Sequence, residues 1–257
     1  MFLNFLRKLN RARWYYTQLY TVAGEYELRF LKHLIRPGST VVDVGANAGI
    51  YSFHAKRYAA KVYAFEPNYN FHNLLRRLGI KVILQDAALS DYTGIGDLTI
   101  PSGESEPAHG WGTLEPFDGS VAEKRSVSIR TLDSYNLSPS FIKIDVEGHE
   151  FSVLKGAIET LQRSRPNLIV ECEDRHRIGA TSQLFRMMEG LGYRGFFFRE
   201  RSCYSTSAFV VARDQGSVKL FPGQHLIRQK YTYVNNFIFV AQEKQIPSFL
   251  NKAKNEF

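Results

Sequence analysis

Acidic residues lie at the ends of three consecutive predicted strands of the chain. Asp43 opens the stretch DVGANAG, Glu66 ends the second strand, and Asp86 ends the third. Gly45 permits a tight turn in which the backbone comes close to a ligand. Gly49 allows the next helix to begin near the sheet, so that its free N–H groups face that ligand. These positions predict a ligand site at one edge of the sheet.

The spacing of these residues predicts a nucleoside ligand. Glu66 lies 23 residues after Asp43, and an acid at about that distance can accept hydrogen bonds from both ribose hydroxyls. Asp86 can accept a hydrogen bond from an adenine amino group. Asn47 replaces the middle glycine of a dinucleotide-binding fingerprint, and no phosphate-binding Gly-Lys-Ser/Thr follows. A ligand without phosphate, such as S-adenosylmethionine, fits this pattern. The predicted cofactor-binding residues are Asp43, Gly45, Asn47, Gly49, Glu66 and Asp86.

A second group of ionisable residues lies in the stretch FIKIDVEGHE, Phe141–Glu150. Alternation along a strand places Lys143, Asp145 and Glu147 on one face. Because charges on a central strand are costly unless they are paired or solvated, we expect them at the carboxyl end of the strand, in a cleft. An alcohol that attacks an activated methyl group must be aligned with it and must lose its proton. The predicted catalytic residues are Asp145, Glu147 and Glu171.

Some of these residues could have a purely structural role instead of a catalytic one. Asp145 could serve only as the ion-pair partner of Lys143, and His149 could be a helix-start histidine that bonds to the backbone. Mg²⁺ would suit Asp145 together with Glu147 or Glu171. No tight ligand spacing requires a metal, and none is predicted.

The elements that must position these residues alternate between strand and helix. The predicted strands are Thr40–Val44, Lys61–Phe65, Lys81–Ala88, Phe141–Val146, Asn167–Cys172, Tyr193–Phe198 and Tyr231–Val240. The predicted helices cover residues 49–59, 68–78, 150–163 and 180–191. This alternation indicates an α/β fold with a mostly parallel central sheet and helices on both faces. Such sheets bind ligands at the carboxyl ends of their strands.

Two segments fall outside this alternation. Residues 101–125 contain three prolines, four glycines, His109 and Trp111 without periodicity, which predicts a lid or binding loop. An N-terminal apolar stripe at helical spacing predicts a helix that either docks on the main domain or rests on an anionic membrane surface. We interpret residues 1–36 as a helical extension and residues 37–257 as one domain. The residues of the stripe are Phe5, Leu9, Ala12, Tyr16 and Leu19.

The composition of the chain indicates the cellular compartment in which the protein is expected. Hydrophobic residues make up 44% of the 257 residues, and no apolar run approaches the roughly 18 residues needed to span a bilayer. Only two cysteines occur, Cys172 and Cys203, which favours a reducing compartment. We therefore predict a cytoplasmic protein, with peripheral contact to the inner face of the membrane through residues 1–20 as an open alternative. The net charge of +8 favours an anionic substrate or partner.

Several motifs resemble, in order, those of the FkbM-type methyltransferases. They are DVGANAGIYS, AFEPN, DAALSD, TLDSY, FIKIDVEGHEFSVLKGA and NLIVECE, between about Gly38 and Glu173, with NFIFV at Asn236–Val240 as a weaker match. The stretch around IDVEGHE is much more specific than DVGAN. The resemblance implies a Rossmann-like class I methyltransferase fold, S-adenosylmethionine as cofactor, and O-methylation of sugars, polyketides or related small molecules. Family members often carry a small residue at the position of His149, so no role is transferred to it.

Three other functions compete with this prediction. The basic composition suits a nucleic-acid methyltransferase, but the fourth major strand ends in IDVE rather than in the Asn/Asp-Pro-Pro-aromatic signature of amino-methylating enzymes. An NAD-dependent oxidoreductase is disfavoured by the missing glycine. A non-catalytic S-adenosylmethionine-binding module on the same fold is left open. We expect an O-methyltransferase acting on a small-molecule or glycan acceptor, with nucleic acid disfavoured and the oligomeric state unassigned.

Overall fold

The computed structural model describes residues 13–17, 25–101, 112–116, 121–216 and 233–254. The strands are β1 (Thr40–Val44), β2 (Lys61–Phe65), β3 (Val82–Gln85), β4 (Ala88–Leu89), β5 (Gly94–Pro101), β6 (Val121–Arg130), β7 (Pro139–Ile144), β8 (Asn167–Glu171), β9 (Tyr193–Arg199), β10 (Ser202–Ser205) and β11 (Asn236–Ala241). The α-helices are α1 (Leu31–Leu34), α2 (Ile50–Ala55), α3 (His72–Arg76), α4 (Glu150–Lys155), α5 (Ile158–Ser164), α6 (Ala180–Gly190) and α7 (Val211–Asp214). Short 3₁₀ turns cover Tyr26–Phe30, Tyr69–Phe71, Asp133–Tyr135 and Thr206–Ala208.

Eight strands form one sheet in the order β10-β9-β11-β8-β7-β1-β2-β3. The run from β8 to β3 is parallel, whereas β11 is antiparallel to both of its neighbours. Because β1 lies between β2 and β7, the strand order reverses there, and open α/β sheets bind ligands at such a switch point. The prediction of a mostly parallel, Rossmann-like sheet is confirmed.

Helices cover both faces of this sheet, because successive side chains of a strand point to opposite faces. Val42 and Val44 of β1 pack in one core with Leu154, Leu161 and Leu184 of α4, α5 and α6. Val41 packs in the other core with residues of α1, α2 and α3. The described chain before β1 belongs to that second core, to which α1 and the preceding 3₁₀ turn contribute Leu28, Leu31 and Leu34.

Several predicted boundaries were wrong. The strand predicted at Lys81–Ala88 is two strands, β3 and β4, which belong to different sheets. The helix predicted at 150–163 is interrupted at Gly156, where a Cβ would lie 1.9 Å from the carbonyl oxygen of Ser90. The helices predicted at 49–59 and 68–78 are shorter, and the last strand begins at Asn236. β10 was not predicted.

A three-stranded sheet, in the order β4-β6-β5, replaces part of the stretch predicted to be aperiodic. β5 ends at Pro101 and pairs antiparallel with β6. Between them, Thr113 forms an isolated bridge to Thr99. Residues 102–111, with His109 and Trp111, and residues 117–120 lie outside the described residues, so the predicted lid stays a prediction for them.

Only residues 13–17 of the predicted N-terminal helix are described, and they are helical. Tyr15 is 1% exposed and stacks on Phe53 with ring centroids 4.3 Å apart. Tyr16, which the sequence placed on the apolar stripe, is 40% exposed. The buried face of this helix therefore includes Tyr15 instead of the predicted Tyr16. The other residues of the stripe lie outside the described residues. Among the described helices, none has the length and apolarity needed to cross a membrane.

Candidate active site

A cleft opens at the carboxyl ends of β1, β2 and β7. The predicted site residues that line it are Gly45, Asn47, Glu66, Asp145 and Glu147. Its apolar wall is formed by Phe65, Ala87, Ala88, Leu89, Leu98 and Leu114. The structure therefore brings members of the predicted cofactor and catalytic groups into one cleft.

The turn after β1 depends on its glycines. Gly45 has a φ of +74°, and a Cβ there would lie 1.8 Å from the carbonyl oxygen of Asp145. Only glycine therefore lets the end of β1 pass so close to the chain leaving β7. Gly49, with a φ of +82°, faces α3 instead, since a Cβ there would lie 2.9 Å from the Leu75 side chain of that helix. Gly49 serves packing and does not line the cleft.

Glu66 lies at the end of β2 and is 6% exposed. Its Oε2 accepts a hydrogen bond from the backbone N–H of Asn47 at 2.7 Å, and its Oε1 accepts one from the N–H of Asn68 at 2.8 Å. Burial raises the pKa of Glu66 to about 7, although these two bonds oppose the shift. Each carboxylate oxygen has a second lone pair, so Glu66 can still accept hydrogen bonds from hydroxyls in the cleft.

Two predicted cofactor-binding acids lie elsewhere. Asp43 is buried below the turn, where its Oδ2 accepts a hydrogen bond from the Ser52 hydroxyl at 2.6 Å, and burial raises the pKa of Asp43 to about 6. This bond ties β1 to α2. The Asp86 side chain is 70% exposed and lies 3.6 Å from His72 Nε2. It is not among the described lining residues, so the segment between β3 and β4 contributes Ala87, not Asp86, to the wall.

Lys143, at the end of β7, is a buried cation with carboxylate neighbours. Its Nζ lies 3.8 Å from Asp145 Oδ2 and 3.9 Å from Glu171 Oε2. It donates a hydrogen bond to Asn236 Oδ1 at 3.0 Å, and it lies 4.9 Å from the centroid of the Tyr51 ring. The ion pair considered for Asp145 is present, and Asp145 also lines the cleft. Glu171 does not.

Carboxyl groups outnumber cations in the cluster around Lys143. Glu25 adds a carboxylate that accepts a hydrogen bond from the Tyr51 hydroxyl. Burial raises the pKa values of Asp145 and Glu171, and repulsion between the carboxylates adds to this effect. Burial disfavours the charged form of Lys143, but its carboxylate neighbours outweigh burial and raise the pKa of Lys143. Such an excess of carboxylates favours a positively charged ligand group.

Glu147 lies in the turn after β7, with a φ of +52°. Its Oε2 lies 3.3 Å from His176 Nε2 and 3.9 Å from Arg175 Nη2. The hydrogen bond to Glu147 raises the pKa of His176. Glu147 is thus held at the cleft by basic residues that follow β8, a pairing that the sequence did not predict.

His149 connects the same turn to two other segments. Its Nδ1 lies 2.6 Å from Glu115 Oε1, and its Nε2 lies 2.9 Å from Ser90 Oγ. The ring therefore bonds to side chains, not to the backbone. The Thr113 hydroxyl donates a hydrogen bond to the carbonyl oxygen of Glu147 at 2.9 Å. Thr113 and Glu115 thereby fix residues 112–116 beside the cleft.

Sequence reasoning missed Glu115 and Thr113 because they lie in a stretch without periodicity. Their only signal was the position of the stretch between two extended segments. Within the described parts of the chain, no three His, Cys, Asp or Glu residues are grouped so that they could hold a metal ion.

The sheet order and the cleft at its switch point define a Rossmann-like α/β fold. The family model described as "Methyltransferase FkbM domain" matches residues 43–195, and the chain belongs to this family. Hexuronic acid methyltransferase AglP of Haloferax volcanii is 30% identical over 152 residues, 54% of this chain and 59% of that protein. The solved methyltransferase FkbM of Methylobacillus flagellatus KT shares the fold, with a TM-score of 0.50, 18% identity, and coverage of 83% of this chain and 50% of that one. The chain thus spans about half the length of these relatives.

Proposed function

We propose that this methyltransferase transfers the methyl group of S-adenosylmethionine to a hydroxyl of a sugar in a glycan or secondary metabolite. The observation that carries the proposal is Glu66, buried at the switch point and bonded to backbone N–H groups that follow β1 and β2. An acid at this place accepts hydrogen bonds from ribose hydroxyls. The sugar acceptor is supported by the similarity to a hexuronic acid methyltransferase.

The cleft suits S-adenosylmethionine in shape and charge. Ala87 and Ala88 offer a flat apolar wall for adenine, and the turn at Gly45 leaves room for the methionine portion. The carboxylates around Lys143 complement a ligand that carries an ammonium and a sulfonium. When bound, this cofactor supplies an already activated methyl group. The protein must then align the acceptor and exclude water.

Asp145 and Glu147 are the acids that we expect to face the acceptor. Asp145 has a raised pKa, which makes its ionised form a better proton acceptor than an ordinary carboxylate. Glu147 is paired with His176 and Arg175, so it suits the orientation of the hydroxyl. Glu171 is paired with Lys143 and does not line the cleft. Its carboxylate would therefore affect the reaction only indirectly, through its interaction with the charge of Lys143.

The test is turnover with methyl-labelled S-adenosylmethionine on oligosaccharides with and without hexuronic acid, and on RNA. We expect label on a sugar oxygen and a loss of about 10²–10⁴-fold in turnover for Asp145→Asn, the usual effect of removing a base. Glu147→Gln is the matched comparison, with cofactor affinity measured for both variants. Label on an RNA base would reject the acceptor class. Cofactor binding without turnover on any acceptor would favour a non-catalytic module.

A further inference from the structure

Lys143 is a buried cation to which the proposed reaction gives no role. Its side chain is 1% exposed, and it is not among the described residues that line the cleft. The neighbouring Asp145 side chain is 29% exposed and lines the cleft. Lys143 therefore contacts Asp145 from inside the protein, where it can affect that carboxylate without touching the acceptor.

The backbone places both side chains on one face of the sheet. Lys143 belongs to β7, and the N–H of Asp145 extends the pairing with β1 by donating a hydrogen bond to the carbonyl oxygen of Val44 at 3.0 Å. Residues two positions apart in such a pairing point to the same face, and Lys143 Nζ lies 3.8 Å from Asp145 Oδ2. An opposite charge at this distance favours the ionised carboxylate.

Neutral groups hold the ammonium of Lys143 in place. It donates hydrogen bonds to Asn236 Oδ1 at 3.0 Å and to the carbonyl oxygen of Ile144 at 3.5 Å, and the centroid of the Tyr51 ring lies 4.9 Å from it. None of these groups has a net charge, so the charge of the lysine acts on the carboxyl groups around it.

Glu171 is the second carboxyl group that contacts Lys143. Its Oε2 lies 3.9 Å from Nζ, and its side chain is 19% exposed. Burial raises the pKa of Glu171 well above its usual range, and Asp145 is the next largest cause of that rise. Since two carboxylates that share one cation repel each other, we expect Asp145, the more exposed of the two, to ionise first.

The other acids near this pair come from several elements. The acids that act on Asp145 or Lys143 are Glu25, Asp43, Glu147, Glu150 and Glu171. Arg175 and His176 are basic, but they pair with Glu147. Burial is the largest cause that raises the pKa of Asp145 to about 7, and Lys143 is the largest cause that lowers it. Of the groups named, Lys143 is therefore the one that favours an ionised Asp145 near neutral pH.

We propose that Lys143 is a positioning residue for methyl transfer, which keeps the Asp145 carboxylate ionised and directed into the cleft. This inference rests on the proposed role of Asp145 as proton acceptor. The ionised carboxylate takes the proton of the acceptor hydroxyl as that oxygen bonds to the methyl carbon and the sulfur keeps the electron pair of the broken C–S bond. Without Lys143, Asp145 holds a proton at neutral pH and cannot take a second one.

The pH dependence of turnover in Lys143→Met and Lys143→Gln tests the proposal. Both replacements are uncharged, and Gln keeps a polar group beside Asn236 in case the Met variant does not fold. Loss of an opposite charge should raise the pKa of Asp145 by about 1 or more. Turnover at pH 7 should then fall at least about fivefold, and the loss should shrink as the pH is raised.

Lys155→Met is the matched control for these variants. Lys155 is also paired with an aspartate, since its Nζ lies 3.2 Å from Asp91 Oδ2, but its side chain is 49% exposed. Its removal should leave the pH profile of turnover unchanged. An equal loss of turnover at every pH in the Lys143 variants would indicate a merely structural lysine and would overturn the proposal.

Nuclear magnetic resonance of isotope-labelled aspartate carboxyl groups gives a second readout that needs no turnover. The Asp145 signal is identified by its absence from Asp145→Asn. We expect its pKa to be higher in both Lys143 variants than in the wild type and in Lys155→Met. An unchanged pKa of Asp145 would overturn the role of Lys143 alone. A raised pKa with an unchanged pH profile of turnover would instead overturn Asp145 as the proton acceptor, and with it the inference.

Discussion

Glu66 is the residue on which cofactor recognition is proposed to depend. We expect Glu66→Ala to weaken the binding of S-adenosylhomocysteine by about 1–3 kcal/mol, the usual cost of losing hydrogen bonds to a charged group. Asp86→Asn is the control, because the Asp86 side chain is 70% exposed and does not line the cleft. Calorimetry that gave equal affinities for Glu66→Ala and the wild type would remove Glu66 from the site. Tighter binding of NAD would reject the cofactor class.

The raised pKa of Glu66 predicts that the stability of the folded chain depends on pH. The pKa of Glu66 rises from its ordinary value of 4.5 to about 7 in the folded chain, so the native state favours the protonated form. Its contribution to stability is therefore full below pH 4.5 and is lost as pH rises through 7. At about 1.4 kcal/mol per pKa unit, the loss is roughly 3 kcal/mol.

Chemical denaturation of the wild type and Glu66→Gln at several pH values measures this effect. Asp43 and Asp145 also have raised pKa values, but they are present in both proteins, so the difference isolates Glu66. The stability of the wild type relative to the variant should fall between pH 4.5 and 7. A constant difference across that range would contradict the buried position of Glu66.

At the scale of elements, the contact between β1 and β7 depends on Gly45. Gly45→Ala places a Cβ 1.8 Å from the carbonyl oxygen of Asp145, so we expect loss of cofactor binding and destabilisation by more than about 3 kcal/mol, beyond the usual cost of left-handed backbone. Gly79→Ala is the matched control, since its φ is +100° but no atom lies within 4 Å. It should cost about 1 kcal/mol. Equal unfolding free energies would show that the close approach is relieved by movement of β7.

We expect ligand binding to change the protease sensitivity of the segment between β5 and β6. Thr113 and Glu115 fix residues 112–116 beside the cleft, and a lid formed by residues 102–111 would be protected when cofactor and acceptor bind. Limited proteolysis should therefore be slower in their presence, and Thr113→Val should reduce that protection. Equal cleavage rates with and without ligands would indicate a surface loop unrelated to binding.

The parallel strands could be predicted from the sequence because their β-branched runs end at clear turn residues. The bounds of β1 and β2 were correct, and Glu66 and Asp145 both line the cleft at the carboxyl ends of the strands. β5 and β6 were missed because their apolar residues are few, with Leu98, Ile100 and Val127 as the main members of their small core. Asp86 lies between β3 and β4 with its side chain 70% exposed and does not line the cleft, so its contact with adenine stays a prediction.

At the scale of the whole molecule, the N-terminal segment contacts the turn that is proposed to hold the cofactor. The Tyr15 hydroxyl donates a hydrogen bond to the carbonyl oxygen of Ala48 at 2.7 Å, and His54 Nε2 lies 3.0 Å from the carbonyl oxygen of Tyr15. We expect Tyr15→Phe to weaken binding of S-adenosylhomocysteine by about 0.5–1.5 kcal/mol, the typical net value of one hydrogen bond. Tyr16→Phe, at a 40% exposed residue, is the control. Equal affinity of the two variants for S-adenosylhomocysteine would show that the N-terminal segment does not contribute to cofactor binding.

The position of β11 has a consequence for synthesis on the ribosome. β11 lies between β8 and β9, yet the ribosome makes it after every other described strand. Until residue 241 has emerged, β8 and β9 each present an unpaired edge, and exposed edges recruit other chains. Lys143 also lacks its hydrogen bond to Asn236 until then. A nascent chain stalled before β11 would therefore need a chaperone to shield these edges, and its buried lysine would be incompletely bonded.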